Sequence, residues 1–211
     1  VKQREIHHRA YAIFIGVVFV FVWINSFVGT PYLENWLIEN TLTVIALLFL
    51  LGSYAKHPFS TTSYMYICVF LCLHVYGSKY SYAENHFGYW LQDAFHTLRN
   101  PYDRLVHFSF GLLLYYPLRE WLISWVKLTR LLTLIPILII LSASALYEIF
   151  EWGVADVFFV DQGLSYLGAQ GDIWDTQKDM GLAFLGVLLA AAFGYLYRRY
   201  APTSPSILRR S

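Results

Sequence analysis

Charge is what this chain of 211 residues has least of: 14% of it is Asp, Glu, Lys or Arg, against about 25% in ordinary soluble domains. That shortfall excludes a soluble fold and a disordered tail. Cysteine is scarce too, with two residues in all, too few for a disulfide framework. No charge excess exists to draw a polyanion, since 15 Lys+Arg stand against 14 Asp+Glu, and no nucleic acid partner is expected. Phosphate-binding glycine loops, nucleophile elbows, paired CxxC motifs and the zincin HExxH motif are all missing. No motif therefore assigns a reaction. What remains is apolar: 57% of the residues are hydrophobic and 19% are aromatic.

Apolar runs long enough to cross a bilayer fall at about 10–28, 36–55, 62–78, 104–126, 130–153 and 177–197, near the twenty or so residues a membrane helix needs. The expectation is an all-α, polytopic membrane helix bundle: about six transmembrane helices in a single integral membrane domain over 1–211. Lys2, Arg4 and Arg9 precede the first run, as in a signal peptide. The run exceeds a usual signal core and lacks a small-x-small cleavage site, so it reads as a retained anchor.

Positive charge in short loops orients such a chain. With the N-terminus cytoplasmic, the inner segments 1–9, 56–61, 117–130 and 198–211 hold 11 of the 15 basic residues. Both termini are thus expected in the cytoplasm. The acids run the other way: Glu5 and Glu120 lie inside and the other 12 lie outside. Acids contribute little to orientation, so their outward bias asks for another cause. Trp23, Trp36, Trp90, Trp121, Trp125, Trp152 and Trp174 fall near span ends, as an interfacial belt does.

Two outer loops carry further signal. In 79–103, Phe87, Trp90, Leu91, Ala94, Phe95 and Leu98 recur at helical spacing, which predicts an interfacial amphipathic helix over about 84–99. Its polar face carries His86, Gln92, Asp93, His96 and Arg99, and Asn100-Pro101 ends it. It reads as a surface anchor or as a lid. The loop 154–176 is rich in Asp and Gly, with Asp156, Asp161, Gly163, Gly168, Gly171, Asp172 and Asp175, and can curl its carboxylates back towards the bundle mouth.

Ionisable groups of three spans meet at one depth near the outer face. Asp103 and His107 sit four apart on one helical face; Glu148 and Glu151 close the fifth span; Asp172, Asp175 and Asp179 lead into the sixth. Charges at that depth are costly and usually functional. Asp103 and Asp172 could instead be helix N-caps, and Arg104 and Lys178 could neutralise two carboxylates in an ion-paired cap. As a site, one imidazole with several carboxylates and no thiolate suits a divalent Zn, Mn or Mg ion, with Asp103, His107, Glu148, Asp172, Asp175 and Asp179 as ligands. Catalytic work would fall to His107, Glu148, Glu151 and Asp179. Cys68 and Cys72 read as packing, His74 as an interhelical hydrogen bond, His7 and His8 as surface groups, and Pro136 as a kink.

The stretch Tyr102-Asp-Arg-Leu-Val-His107-Phe108, the Glu148 and Glu151 pair, and Gly168-Ala-Gln-Gly-Asp-Ile-Trp-Asp-Thr-Gln-Lys-Asp-Met180 closely resemble the YjdF-type bacterial inner-membrane family, end to end. The second half is more distantly similar to VanZ-like proteins, which are associated with glycopeptide resistance. Asp103 and His107, Glu148 or Glu151, and Asp179 with Gly186 match their pattern. Arg104 replaces their Lys, no Asn follows Asp179 at the expected spacing, and spans one to three find no counterpart. The resemblance implies a multi-pass protein of the bacterial inner (plasma) membrane and a set of polar positions, but no reaction.

The leading expectation is therefore an inner-membrane enzyme, metal-dependent through its acidic site, acting on a lipid or lipid-linked envelope substrate. A non-catalytic ligand-binding, transport or structural envelope protein is the alternative. A blind pocket at the acids favours the enzyme. A polar path to Lys56 and Arg119 favours transport, and no cavity around His107 favours a structural role. Sequence does not set the oligomeric state.

Overall fold

The computed structural model describes residues 2–158 and 169–200, the side chains of 2–8 excepted. Asp161, Gly163, Gly168, Arg209 and Arg210 lie outside the described residues, as do the side chains of Lys2, Arg4, His7 and His8. Among the described residues the chain is a helix bundle without strands. Its helices are α1 (Lys2–Phe27), α2 (Leu33–Tyr54), α3 (Thr61–Lys79), α4 (His86–Phe95), α5 (Tyr102–Leu122), α6 (Thr129–Phe158) and α7 (Asp175–Tyr200).

Four of them are long and apolar enough to cross a membrane on composition alone: α1 from Arg9, α2, α6 and α7. The helices α3 and α5 have 19 and 21 residues, about 29 and 32 Å of rise, which also matches a hydrocarbon core of about 30 Å. They are more polar because they are interior. α3 packs against α1, α2 and α5, and α5 packs against α3, α4, α6 and α7, so their polar side chains meet protein rather than lipid. The outer helices show the converse: α1 exposes Ile13, Phe14, Val17 and Phe21.

Small residues set the closest helix pair. A Cβ on Gly111 would collide with the Ala183 carbonyl, and one on Gly186 with the Phe108 carbonyl, so α5 and α7 pack backbone to backbone, as small residues allow in membranes. Beyond this crossing, Tyr115, Ile140, Val187 and Ala191 form a buried cluster of α5, α6 and α7.

A polar clip ties α1, α2 and α3. Trp23 Nε1 donates to Asn40 Oδ1 at 2.6 Å, Asn40 Nδ2 to Ser78 Oγ at 3.0 Å, and Trp36 Nε1 to Ser26 Oγ at 3.0 Å. This corrects the belt reading for two tryptophans. Trp36 is buried and Trp23 turns inward, because an indole N–H within a bundle takes a side-chain acceptor. Trp90, Trp125, Trp152 and Trp174 remain exposed, as an interfacial role requires. Cys68 and Cys72 are free thiols, their sulfurs 3.9 Å apart on one face of α3.

The amphipathic helix α4 is shorter than 84–99. Asn85 caps it, accepting from Gly88 N at 3.1 Å, and His96 ends it in the left-handed conformation at φ +52°. The stop comes five residues before Pro101, so Arg99 leaves the helix face assigned to it. Phe87, Tyr89, Trp90 and Phe95 of α4 are exposed, as is Leu98 just beyond it.

Candidate functional site at the Asp103 end of the bundle

The up-and-down path carries the start of α2, the end of α3, the start of α5, the end of α6 and the start of α7 to one end of the bundle. Acids gather there from the starts of α2, α5 and α7 and from the last three turns of α6, while α3 brings His74. Asp103 lies in the first turn of α5 and His107 one turn on, with 7% exposure. Glu148 and Asp179, at 7% and 2%, approach from α6 and α7.

These four residues form the centre. His107 Nε2 lies 3.5 Å from Asp103 Oδ1 and 3.4 Å from Glu148 Oε1. Asp103, His107 and Asp179 can each offer a ligand atom such that all lie within 4.8 Å of one another. Donors on one ion at 2.0–2.2 Å stand at most about 4.4 Å apart, so the triad is close to the spacing that a shared ion requires. Asp179 Oδ1 is buried and has no hydrogen-bond partner among the described residues. A buried acceptor in that state is costly, and a cation beside it removes the cost. The donor set, one imidazole and carboxylates, fits a divalent ion.

Asp172 and Asp175 do something different: they meet cations. Asp175 is ion-paired with Arg99, and Arg104 Nη2 lies 2.5 Å from Asp172 Oδ2 and 3.3 Å from Asp175 Oδ1. Lys178 Nζ is 2.6 Å from Asp172 Oδ2. The Lys178 ammonium, the Trp174 backbone N–H and Arg104 hold the Asp172 carboxyl well below the usual carboxylate range. The ion-paired cap and the His-centred cluster thus coexist, on adjacent turns. Neither aspartate is an N-cap of its helix by side chain to N3: Asp103 follows Pro101 at the cap, and Asp172 closes a turn onto Trp174 N at 3.1 Å.

The 96–101 segment is fastened over this end. Asn100 N donates to Gln170 Oε1 at 2.9 Å and Gln170 Nε2 returns a bond to Asn100 O at 3.1 Å. Arg99 Nη1 also reaches Ala169 O at 3.3 Å. Gln170 has φ +48° and Gly171 has φ +85°. This left-handed pair turns the chain so that Asp172 and Asp175 face the arginines.

Sequence reasoning missed a second polar group, on the far side of His107. Glu39 of α2 is buried and accepts from Tyr147 OH of α6 at 2.9 Å. Glu151 lies beside the same tyrosine, and the Tyr147 ring is 5.8 Å from that of His107. His74 Nε2 lies 3.3 Å from Glu39 O and Nδ1 lies 2.6 Å from Tyr82 OH. Nε2–H donating to the carbonyl and Nδ1 accepting from the phenol satisfies a neutral imidazole. Burial raises the Tyr82 phenol far above its ordinary pKa, so it stays protonated as a donor. Tyr82 reaches His74 from a left-handed backbone at φ +47°, and its ring occupies the space a Cβ on Gly77 would need. Glu39 followed by Asn40 inside an apolar run was the available signal, since a carboxylate there needs a reason.

Members of both groups, Asp103 and His107 of the one and His74, Tyr82 and Tyr147 of the other, line one cavity of about 480 Å³ between α2, α3, α5 and α6. Its polar end is made by His74, Tyr82, Asp103, His107 and Tyr147; its other end, by Ala46, Phe70, Phe110 and Leu114, is apolar. From Asp103 to Leu114 the wall of α5 runs about 16 Å. Leu42, Leu146 and Phe150 line the cavity while 37, 65 and 41% exposed, so it opens sideways between α2 and α6, on the face a bilayer would cover.

Known proteins agree with the membrane reading and stop short of a reaction. A family model described as "Predicted membrane protein (DUF2238)" matches residues 9–200. "Inner membrane protein YjdF" of Escherichia coli (strain K12) is 35% identical over 162 residues, 75% of this chain and 77% of that protein. No solved structure matches. The chain belongs to the DUF2238 family of predicted membrane proteins.

Proposed function

We propose that this DUF2238 member is a multi-pass inner-membrane enzyme, one integral membrane domain over 1–211, that acts on a lipid or lipid-linked envelope substrate at the periplasmic face. The observation that carries the reading is the cavity: bounded by polar residues at the Asp103–His107 end, apolar along α5 over about the next two turns to Leu114, and open to the side. That is the shape of an amphiphile entering from a leaflet, with its head at the charged end. Asp103, His107 and Asp179 hold a divalent ion, with Glu148 against His107. Such an ion supplies positive charge among carboxylates and Lewis acidity towards a carbonyl or phosphoryl oxygen. His107 and Glu148 share a proton-transfer geometry at 3.4 Å, within reach of tightening on substrate binding. Glu151, beside Tyr147, and the arginine-bound Asp172 and Asp175 support the site from either side.

The orientation follows from charge. Lys56, Arg119, Lys127, Arg130, Arg198 and Arg199 belong to the helix ends opposite the site, which favours cytoplasmic termini. Transport is the weaker reading, because neither Lys56 nor Arg119 lines the cavity and its deep end is apolar. A purely structural role predicts no cavity at all beside His107.

Lipid profiling of cells lacking the protein tests the reading. Wild type is expected to restore the lipid pattern and His107→Ala is not; equal rescue by both removes His107 from the chemistry. Metal analysis of detergent-purified protein should find a divalent ion that Asp179→Asn loses. No ion above background, with unchanged melting in EDTA, sinks the metal component.

A further inference from the structure

Two hydroxyls in the cavity wall have nothing to bond. Thr43 of α2 and Ser144 of α6 are 1% and 2% exposed, and both line the cavity. Neither Thr43 Oγ1 nor Ser144 Oγ has a hydrogen-bond partner among the described residues. A buried Ser or Thr in a helix commonly bonds back to the carbonyl one turn earlier, yet these two do not. Elsewhere in the bundle Thr41, Ser53, Ser78 and Thr133 do bond back in that way. Buried polar groups are as a rule satisfied; neither oxygen has open surface as it stands, so each meets a polar atom of something else in the cavity by turning about χ1 to another staggered rotamer.

Their depth says what kind of atom. Thr43 stands four residues beyond Glu39, and Ser144 three before Tyr147, so they lie about 6 and about 4.5 Å deeper than the Glu39–Tyr147 bridge. Past them the wall at Ala46, Phe110 and Leu114 is hydrocarbon. The ligand is therefore polar at its head, carries an oxygen one helical turn lower, and is apolar beyond. Hydroxyls turned by such a rotation into a site whose head end is already acidic serve best as donors to an acceptor oxygen. A lipid with an acyl ester or amide has a carbonyl a few bonds below its head. A polyisoprenyl phosphate has unbroken hydrocarbon at that level and would leave both hydroxyls unpaired.

We infer that Thr43 and Ser144 recognise the acyl carbonyl of the substrate, and that the ligand class is an acylated lipid rather than a polyisoprenyl-linked one. This deepens the proposed function and rests on its reading of the cavity as a lipid site.

The test is binding to purified full-length protein in nanodiscs. The probes are a short-chain diacyl ester phospholipid, its ether analogue lacking the carbonyls, and a short polyprenyl phosphate. Wild type should bind the ester on the order of tenfold more tightly than the ether, the factor expected for one or two neutral hydrogen bonds. The Thr43→Val/Ser144→Ala protein should bind both alike. Equal binding of ester and ether by wild type, or tighter binding of the polyprenyl phosphate, overturns the carbonyl assignment and leaves the lipid reading standing. Ala143→Trp, which fills the cavity, separates the two failures; Leu146→Trp at the rim replaces it if that variant does not melt cooperatively. If filling the cavity leaves binding of every probe unchanged, the cavity is not the lipid site and both readings fall.

Discussion

Gly186 and Gly181 lie on the same helix, five residues apart, and should respond to the same methyl group with opposite signs. A Cβ on Gly181 meets open space, whereas one on Gly186 lies 2.9 Å from Leu112 N, 3.2 Å from Phe108 C and closer still to the Phe108 carbonyl oxygen. Carbon atoms in good contact sit about 3.5–4.0 Å apart, so Gly186→Ala must push α7 from α5 by on the order of 1 Å. Overpacking of this kind costs about 1–3 kcal/mol. Gly181→Ala carries no such cost and gains the roughly 0.5–1 kcal/mol by which Ala exceeds Gly in a helix. For a chain of this size about 1 kcal/mol moves the midpoint of melting by about 2–4 °C. Thermal melting of the detergent-purified protein should therefore place Gly186→Ala several degrees below wild type and Gly181→Ala at or above it.

The same displacement has a consequence at the site. Asp103 and His107 ride on α5 and Asp179 on α7, two turns from Gly186. Moving the helices apart separates donors that must stay within about 4.4 Å of one another to share an ion. Gly186→Ala and Gly111→Ala should therefore lose most of any melting-temperature rise given by added Zn or Mn, and Gly181→Ala should keep it. If Gly186→Ala melts with wild type, or Gly181→Ala is the more damaged of the two, the backbone contact between α5 and α7 does not set the geometry of the centre.

Further outcomes follow from individual contacts. Tyr147→Phe removes the 2.9 Å bond to buried Glu39 and should cost about 1–3 kcal/mol, while Glu39→Gln keeps an acceptor in place and should melt closer to wild type; the reverse order would deny that bond its role. Arg99→Ala leaves buried Asp175 with Arg104 alone and should cost about 3–5 kcal/mol, and adding Asp175→Ala should recover part of that loss in a double-mutant cycle. The Asp172 carboxyl has a depressed pKa in the fold, so its pairing contributes stability above the ordinary Asp value and loses it as pH falls through the lower folded value. Melting temperature should accordingly hold on acidification to about pH 4 and drop below it, and Asp172→Asn should flatten that drop; identical acid profiles would show that the Arg104–Asp172–Lys178 group contributes nothing.

The bundle was legible in the sequence because lipid-facing helices must be apolar all along, which is why α1, α2, α6 and α7 declared themselves. The helices α3 and α5 fall short of that apolar measure, since interior helices trade apolar residues for partners. His107, Glu148 and Asp179 were readable as a group from depth alone: a carboxylate or imidazole one turn inside an apolar run is costly unless it turns to partners within the bundle. Which acids share a neighbour was not readable. Asp172 and Asp179 are seven apart, two turns of one spacing pattern, yet one meets Arg104 and Lys178 while the other is buried beside His107. Only the turn at Gln170 and Gly171 decides this, and its left-handed backbone leaves little trace in residue type when the first of the pair is glutamine. Glu39 was overlooked because its partners, Tyr147 and His74, come from helices remote in sequence.

The arrangement of cations explains how so acidic an end can exist at all. Seven carboxylates of α5, α6, α7 and the turn before α7 lie at one bundle end, and like charges at short range oppose each other's ionisation. Arg99 and Arg104 do not divide themselves evenly among them. Both go to Asp175, and Arg104 also goes to Asp172 with Lys178, which leaves Asp103, Glu148 and Asp179 around a single imidazole. A fold seeking only neutrality would place a guanidinium among those three. Instead Arg99 fastens the 96–101 segment, and Arg104 the start of α5, to Asp172 and Asp175 around the start of α7. The unpaired acceptor on Asp179 is what that choice leaves behind, and it shares the cluster with Asp103 and His107, which line the cavity. Replacing it tests the logic directly. In metal-free detergent solution Asp179→Asn should melt no lower than wild type, because it removes a buried charge without a compensating partner, while abolishing stabilisation by added divalent ion. A large loss of stability without metal would mean that the carboxylate is held by the protein itself, and that the centre is a structural knot.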